Sequence, residues 1–128
     1  MLQKGESVLT YDPEKTEHRA LLASNILELL VEQGFSIDPM YDTNAWEFVC
    51  VRNHPADPNK RIIVYTSIEK STGAIRDNYK DKIRVIRQTV LNGGPHFRRV
   101  ARVIRQGEFE DIKNRVFEGI VKAEKQLG

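Results

Sequence analysis

Arginine residues alternate with branched apolar residues in the segment KDKIRVIRQTVLNGGPHFRRVARVIRQ, which spans residues 80–106. Guanidinium groups bind phosphate oxygens through charge-assisted hydrogen bonds, and aromatic rings stack on nucleic-acid bases. The side chains of this region that could perform this chemistry are Arg76, Lys80, Lys82, Arg84, Arg87, Arg98, Arg99, Arg102, Arg105, Tyr79 and Phe97. The pattern predicts a surface that binds nucleic acid, chiefly through its phosphates.

The positive charge of the chain is concentrated in this region. Residues 76–105 contain nine basic and two acidic side chains, a net charge of +7, whereas the rest of the chain carries −5 and the whole chain only +2. A segregated basic surface attracts polyanions. Two other interpretations stay open: the arginines form an ordinary solvated face, or they pair with the acidic first turn of the C-terminal helix.

Groups that could carry out catalysis are sparse. His18, His54 and His96 are far apart in sequence and have no spaced cysteine partner, so no zinc site is expected. No phosphate-binding GxxxxGK[ST] motif is present, which argues against an NTPase. Val49 stands where a common nuclease arrangement places a lysine two residues after the acid, here Glu47. The acids near strand ends that could hold Mg²⁺ are Asp38, Asp42, Glu47 and Asp57. We expect no cofactor and no catalytic residue.

Length and composition predict one domain over residues 1–128, because 40% of the chain is hydrophobic. No apolar run reaches the roughly 20 residues that a membrane helix needs, and the first residues lack the apolar centre of a secretory signal. The single cysteine, Cys50, lies in an apolar, strand-like run, which indicates a core thiol in a reducing compartment. We expect a cytoplasmic protein with no membrane contact.

The first predicted element is a helix over residues 13–33. Asp12 is a good N-cap, Pro13 suits the first helical position, and Gly34 is a typical stop signal. The apolar residues at helical spacing are Leu22, Ile26, Leu29 and Leu30. This spacing predicts a helix with one face in the core.

Three strands are predicted after this helix, over residues 35–37, 46–52 and 61–69. In the second of them, alternation places Trp46, Phe48 and Cys50 on one face. The proline-containing stretch 52–60 and the polar stretch 67–82 are predicted loops.

Residues 82–91 are predicted to form a fourth strand with Ile83, Val85 and Leu91 facing inward. Asn92-Gly93-Gly94 is a strong hairpin signal, because these residues tolerate positive φ angles. Residues 95–106 fit either a helix or the return strand of the hairpin, and the valine and isoleucine content favours the strand.

Strict alternation in the return strand would place Arg98 and Arg102 on one face and Arg99 on the other. Residues 108–127 form the last predicted helix, with acids in its first turn. The core-facing residues of that helix are Phe109, Ile112, Val116, Ile120 and Val121.

The order of elements predicts an α+β fold: a two-layer sandwich in which an antiparallel sheet of four or five strands carries the N- and C-terminal helices on one face. The other face is then left to the basic strands. The aromatic and imidazole rings that could stack on bases are Tyr65, Tyr79, His96 and Phe97.

The segments VYTSI (64–68) and KDKIRV (80–85), separated by a loop that contains glycine and arginine, resemble a pattern found in small uncharacterised proteins of phages and plasmids. The order of elements and the basic strands are also similar to the β-β-β-α core of single-strand annealing proteins. That resemblance implies a basic groove for a single strand and protomers that assemble into rings. A double-stranded-RNA-binding fold has a similar outline, but Glu108-Phe109-Glu110-Asp111 stands where its second helix begins with lysines.

Together, these features predict a non-enzymatic nucleic-acid-binding protein of the single-strand-binding or annealing type, which uses a basic hairpin surface and forms a homo-oligomer. The leading alternative is a structural or interaction protein whose basic hairpin docks on an acidic protein partner or on a neighbouring copy. A metal-dependent nuclease is the third hypothesis.

Overall fold

The computed structural model describes residues 9–38, 48–66 and 82–128 of the 128-residue chain. Five strands form one antiparallel sheet in the order β1-β2-β3-β4-β5, so each strand pairs with its neighbour in sequence. The elements are α1 (Thr16–Glu32), β1 (Ser36–Ile37), β2 (Phe48–Asn53), β3 (Lys60–Thr66), β4 (Lys82–Leu91), β5 (Gly94–Ile104) and α2 (Phe109–Leu127). The predicted α+β fold class is confirmed.

The first helix begins three residues later than its sequence signals predict. The Asp12 carboxylate accepts a hydrogen bond from the backbone N–H of Glu14 at 3.0 Å, and the N–H of Lys15 donates to the Asp12 carbonyl at 3.1 Å. These contacts close a turn ahead of the helix. An aspartate side chain can accept a hydrogen bond from the backbone N–H two residues later, and this bond is an alternative to capping a helix. The helix therefore starts at Thr16.

The end of α1 follows the prediction. Gly34 has a φ angle of +87°, and the N–H of Phe35 donates to the Leu30 carbonyl at 2.9 Å. A left-handed residue after the last turn lets the chain reverse while the final carbonyls keep their partners. Glycine suits this position because it has no Cβ to clash.

Both helices pack against one face of the sheet, which we call the helical face. Strand residues buried there include Cys50, Ile62, Val64, Ile83, Val85 and Val103. The helix residues that cover them include Leu22, Ile26, Leu30, Ile112, Val116 and Ile120. Neither helix in the described part of the chain is long and apolar enough to span a membrane.

The opposite face, which we call the outer face, has an apolar centre of its own. Val49, Ile63 and Ile86 are only 2%, 0% and 5% exposed, and the half-buried Val51 and Tyr65 pack against them. Ile63 lies directly opposite Ile86 in the β3–β4 register. The outer face is therefore apolar in the middle, with Arg61 of β3 near one end and the other cations on β4 and β5.

Residues 94–104 form a strand, not a helix, so the favoured interpretation of this segment is confirmed. The chain turns at Asn92 and Gly93, and Gly94 has a φ angle of +107°. Leu91, which the alternation places inside, is 60% exposed because the hairpin end extends past the helices' apolar contacts.

A β-bulge interrupts β5 at Val100. Val85 pairs with Ala101, and the next residue, Ile86, pairs with Arg99, so Val100 has no partner of its own on β4. Val100 and Ala101 both pack against the core of the helical face. One extra residue in a strand shifts the alternation of faces beyond it.

Helix α2 approaches this bulge very closely at Gly119. A Cβ atom added there would lie 2.9 Å from the Cβ of Ala101 and 3.1 Å from Cγ2 of Val85. Both neighbours are short side chains on a paired strand, so they have little freedom to move aside. The glycine therefore sets the distance between the helix and the bulge.

We expect Gly119→Ala to destabilise the protein by about 1–3 kcal/mol through overpacking. Alanine is normally better than glycine inside a helix by about 0.5–1 kcal/mol, so the two effects have opposite signs. Urea denaturation monitored by circular dichroism measures the difference. The double variant Gly119→Ala/Ala101→Gly removes the 2.9 Å contact and should recover much of the loss. A more stable Gly119→Ala protein would contradict the close contact.

The prediction of a core thiol at Cys50 is confirmed. The residue is fully buried, and desolvation raises the pKa of its thiol to about 11, which disfavours the reactive thiolate. We expect no rapid reaction with Ellman's reagent at about pH 8 in the folded protein, and release of one equivalent after unfolding in guanidinium chloride. Fast stoichiometric labelling of the folded protein would show that the thiol is accessible.

Candidate nucleic-acid interface

The β-bulge places Arg99 and Arg102 of β5 on the same face as Arg84 of β4, the outer face. Arg84 lies opposite Tyr65 on one side and Arg102 on the other, and Arg99 lies opposite Ile86. Residues directly opposite each other in antiparallel strands share a face, and Tyr65 and Ile86 belong to the outer apolar cluster. Arg84, Arg99 and Arg102 therefore form one group, which we call the outer arginine cluster.

Two further arginines lie on the other side of the sheet. Arg87 is opposite Arg98, and Arg87 is also opposite Ile62, which belongs to the core of the helical face. We call Arg87 and Arg98 the rear arginine pair. The expectation that Arg98 and Arg102 share a face is wrong, because the extra residue at Val100 reverses the alternation between them.

These arginines differ in exposure and in partners. Arg98, Arg99 and Arg102 are exposed, whereas Arg84 and Arg87 are half-buried. Within the described part of the chain, Arg98, Arg99 and Arg102 have no hydrogen bond or ion pair. Like charges directly opposite on neighbouring strands repel each other, so Arg102 faces an unfavourable neighbour in Arg84.

Arginines elsewhere in the fold have partners. Arg52 donates to the Gln33 carbonyl at 2.7 Å and forms an ion pair with Glu124. Arg61 donates to the side-chain oxygen of Gln88. The exposed arginines of β5 therefore stand apart from those that hold the fold together.

Arg105 is one of the arginines that hold the fold together, although the sequence predicts that it belongs to the basic surface. It is 3% exposed and donates to the Tyr11 hydroxyl at 3.0 Å, with its guanidinium carbon 5.5 Å from the centre of that ring. Tyr11 in turn packs edge-on against Phe109, the first residue of α2. Arg105 thus ties the end of the sheet to the start of the helix and is not part of the surface.

The candidate stacking residues lie in different places. Phe97 is 55% exposed on the outer face, opposite Gln88 and two residues from Arg99. Tyr65 is half-buried beside the outer apolar cluster, and His96 lies on the helical side near the turn. Lys82 is half-buried on the outer face. Arg76, Tyr79 and Lys80 lie outside the described residues.

The carboxylates that could hold a metal ion do not form a cluster in the described part of the chain. Asp57 accepts the N–H of Asn59 at 2.9 Å and lies 3.9 Å from the Lys60 ammonium. Across residues 9–38, 48–66 and 82–128, no group of three or more metal-ligating side chains occurs. Asp42 and Glu47 fall outside those ranges.

A pocket of about 230 Å³ lies between the β2–β3 loop and the end of α2. Among its lining residues, His54 donates from Nε2 to the Gly128 carbonyl at 2.7 Å, because its Nδ1 accepts the N–H groups of Ala56 and Asp57. Nearby, Lys60 donates to the Leu127 carbonyl at 2.7 Å, where the negative end of the helix dipole favours a cation. These contacts hold the end of α2 in place.

The contrast between Arg105 and Arg102 predicts opposite effects on stability. Arg105→Gln should lower the free energy of unfolding by about 1–3 kcal/mol, because the Tyr11 hydroxyl loses a charged partner in a buried site. Arg102→Gln should leave stability unchanged or raise it slightly, because it relieves repulsion from Arg84. Thermal unfolding of the two variants, which change the net charge equally, makes the comparison. Equal losses would show that Arg102 also supports the fold.

Comparison of the chain with known protein families, with curated proteins and with solved structures finds no match. The functional assignment rests on the position, exposure and charge of the outer arginine cluster and its neighbours.

Proposed function

We propose that the protein binds nucleic acid without catalysing a reaction, through the outer face of β4 and β5. The outer arginine cluster contacts the phosphates, and Phe97 supports a base. One observation carries the proposal: Arg84 and Arg102 lie directly opposite each other, next to Arg99, and the two cations on β5 are exposed without a partner among the described residues.

The electrostatics favour a polyanion as the missing partner. Carboxylates at neighbouring positions would stabilise this surface, yet the facing residues of the β4–β5 register are arginine, isoleucine and glutamine. A phosphate backbone supplies closely spaced negative charges along a line, and arginine binds phosphate oxygens with geometric fit. Binding would therefore relieve a repulsion that the free protein carries.

Phe97 adds an apolar element to this charged surface. A phenylalanine that is 55% exposed keeps much of its ring in water, and it lies on the same face as Arg99. Aromatic rings that stack on bases contribute roughly 1–3 kcal/mol per base with little sequence preference. A ring beside phosphate-binding cations is the arrangement expected of a surface that binds nucleic acid without reading its sequence.

The charge-neutralising variant Arg99→Gln/Arg102→Gln tests the surface. We expect weaker binding to labelled oligonucleotides in fluorescence anisotropy, and a slope of log K against log salt that is shallower by about 1.4–1.8, since each phosphate contact contributes about 0.7–0.9. Lys15→Gln/Lys125→Gln is the matched control. It removes the same charge from exposed positions at the start of α1 and the end of α2, and it should retain the slope.

Two results would contradict the proposal. If wild type fails to bind any oligonucleotide at low salt, the cations face another partner, and an acidic protein or a neighbouring copy becomes the leading explanation. If both variants weaken binding equally, only the net charge matters and the outer face holds no site.

A further inference from the structure

We infer that the ligand is a single strand that passes over the edge of the sheet at β5 and contacts the rear arginine pair as well as the outer cluster. This inference rests on the proposed function and adds to it the strandedness of the ligand and a second phosphate-binding position. The observation that supports this inference is that two consecutive residues of the edge strand, Arg98 and Arg99, lie on opposite faces of the sheet.

The edge itself offers a path between the two faces. β5 is the last strand of the sheet order, so the described strands leave its outer side unpaired. Arg98 and Arg99 are both exposed on this strand, and the bulge at Val100 keeps Arg99 in line with Arg102. A chain of phosphates that leaves Arg102 and Arg99 reaches Arg98 by turning around the edge.

The rear arginine pair has the features of an anion site. Arg87 and Arg98 face each other across neighbouring strands, and the Nε of Arg87 is buried with no hydrogen-bond partner in the described part of the chain. A buried donor without an acceptor is costly, and two opposed guanidinium groups repel each other. A single phosphate placed against the accessible ends of the two guanidinium groups would neutralise the repulsion.

A duplex does not suit this path. Double-stranded DNA has a persistence length of about 50 nm, so a turn around one strand of protein is far beyond its elastic range. A two-stranded ribbon can enter a major groove, but β3 stays paired with β4 as far as Lys60 and Thr89. The hairpin is thus backed by the sheet almost to its turn. A flexible single strand bends freely and also presents unpaired bases to Phe97.

The test compares a labelled single-stranded oligonucleotide with its duplex, for wild type, Arg87→Gln/Arg98→Gln and Phe97→Leu. We expect the rear variant to lose single-strand affinity and about 0.7 of the single-strand salt slope, since the one phosphate that the pair holds contributes about 0.7. Its duplex affinity should change by less than about threefold. Phe97→Leu should weaken single-strand binding by about fivefold or more and leave duplex binding nearly unchanged.

Because Arg87 is half-buried, the single variant Arg98→Gln provides a second measurement at a fully exposed position. Circular dichroism confirms that each variant is folded. Arg98→Gln should weaken single-strand binding in the same direction as the double variant but by less, because Arg87 still faces the phosphate.

The possible failures can be told apart. If Arg99→Gln/Arg102→Gln loses binding while the rear variant binds the single strand as wild type does, the inference is wrong and the proposed function stands. If the rear variant loses single-strand and duplex affinity equally, the rear pair acts only through the net charge of the protein. The path over the edge is then wrong. If wild type binds neither oligonucleotide, the proposed function fails and the inference falls with it.

Discussion

The close contact between α2 and the bulge in β5 is the constraint on which the distribution of charge depends. Gly119 leaves just enough room for Ala101, and Val100 and Ala101 both turn toward the helical core. Two consecutive residues can face the same side only where the strand carries an extra residue. Because the apolar core holds that residue in place, the arginines on either side of it are forced onto opposite faces of the sheet.

The fold uses arginine in two distinct ways. Arg52 and Arg105 are held by carbonyl, carboxylate and hydroxyl groups, and each joins a strand or its end to the helices. Arg99 and Arg102 lie beside the half-buried Arg84, and their side chains make no hydrogen bond or ion pair within the described part of the chain. Stability alone would select a carboxylate or a neutral residue at one of these positions. This contrast is the reason for proposing that a ligand stabilises the surface from outside the chain.

Much of the fold follows from local signals, and the failures have identifiable physical causes. Period-two patterns and the glycine turn predict the β4–β5 hairpin, and the helical spacing predicts which side of α2 is buried. The bulge at Val100 has no signature in the pattern, because one extra residue leaves the composition of the strand unchanged. The role of Arg105 depends on Tyr11, 94 residues earlier in the chain, so no local window could reveal it. The pattern also does not predict the buried centre of the outer face, because Ile86 is an apolar residue at a position where the alternation of β4 calls for a polar one.

The same cations affect both the stability of the protein and the proposed binding of nucleic acid, and salt should change these two properties in opposite directions. In the free protein, salt screens the repulsion between opposed arginines and so favours the folded state. In the complex that we propose with nucleic acid, salt would act through counterion release and oppose binding. A ligand that binds only the folded state stabilises it in proportion to its affinity. At low salt, the repulsion between arginines and the stabilisation by the proposed ligand would both be largest, so a bound polyanion would stabilise the sheet most under the conditions in which it binds most tightly.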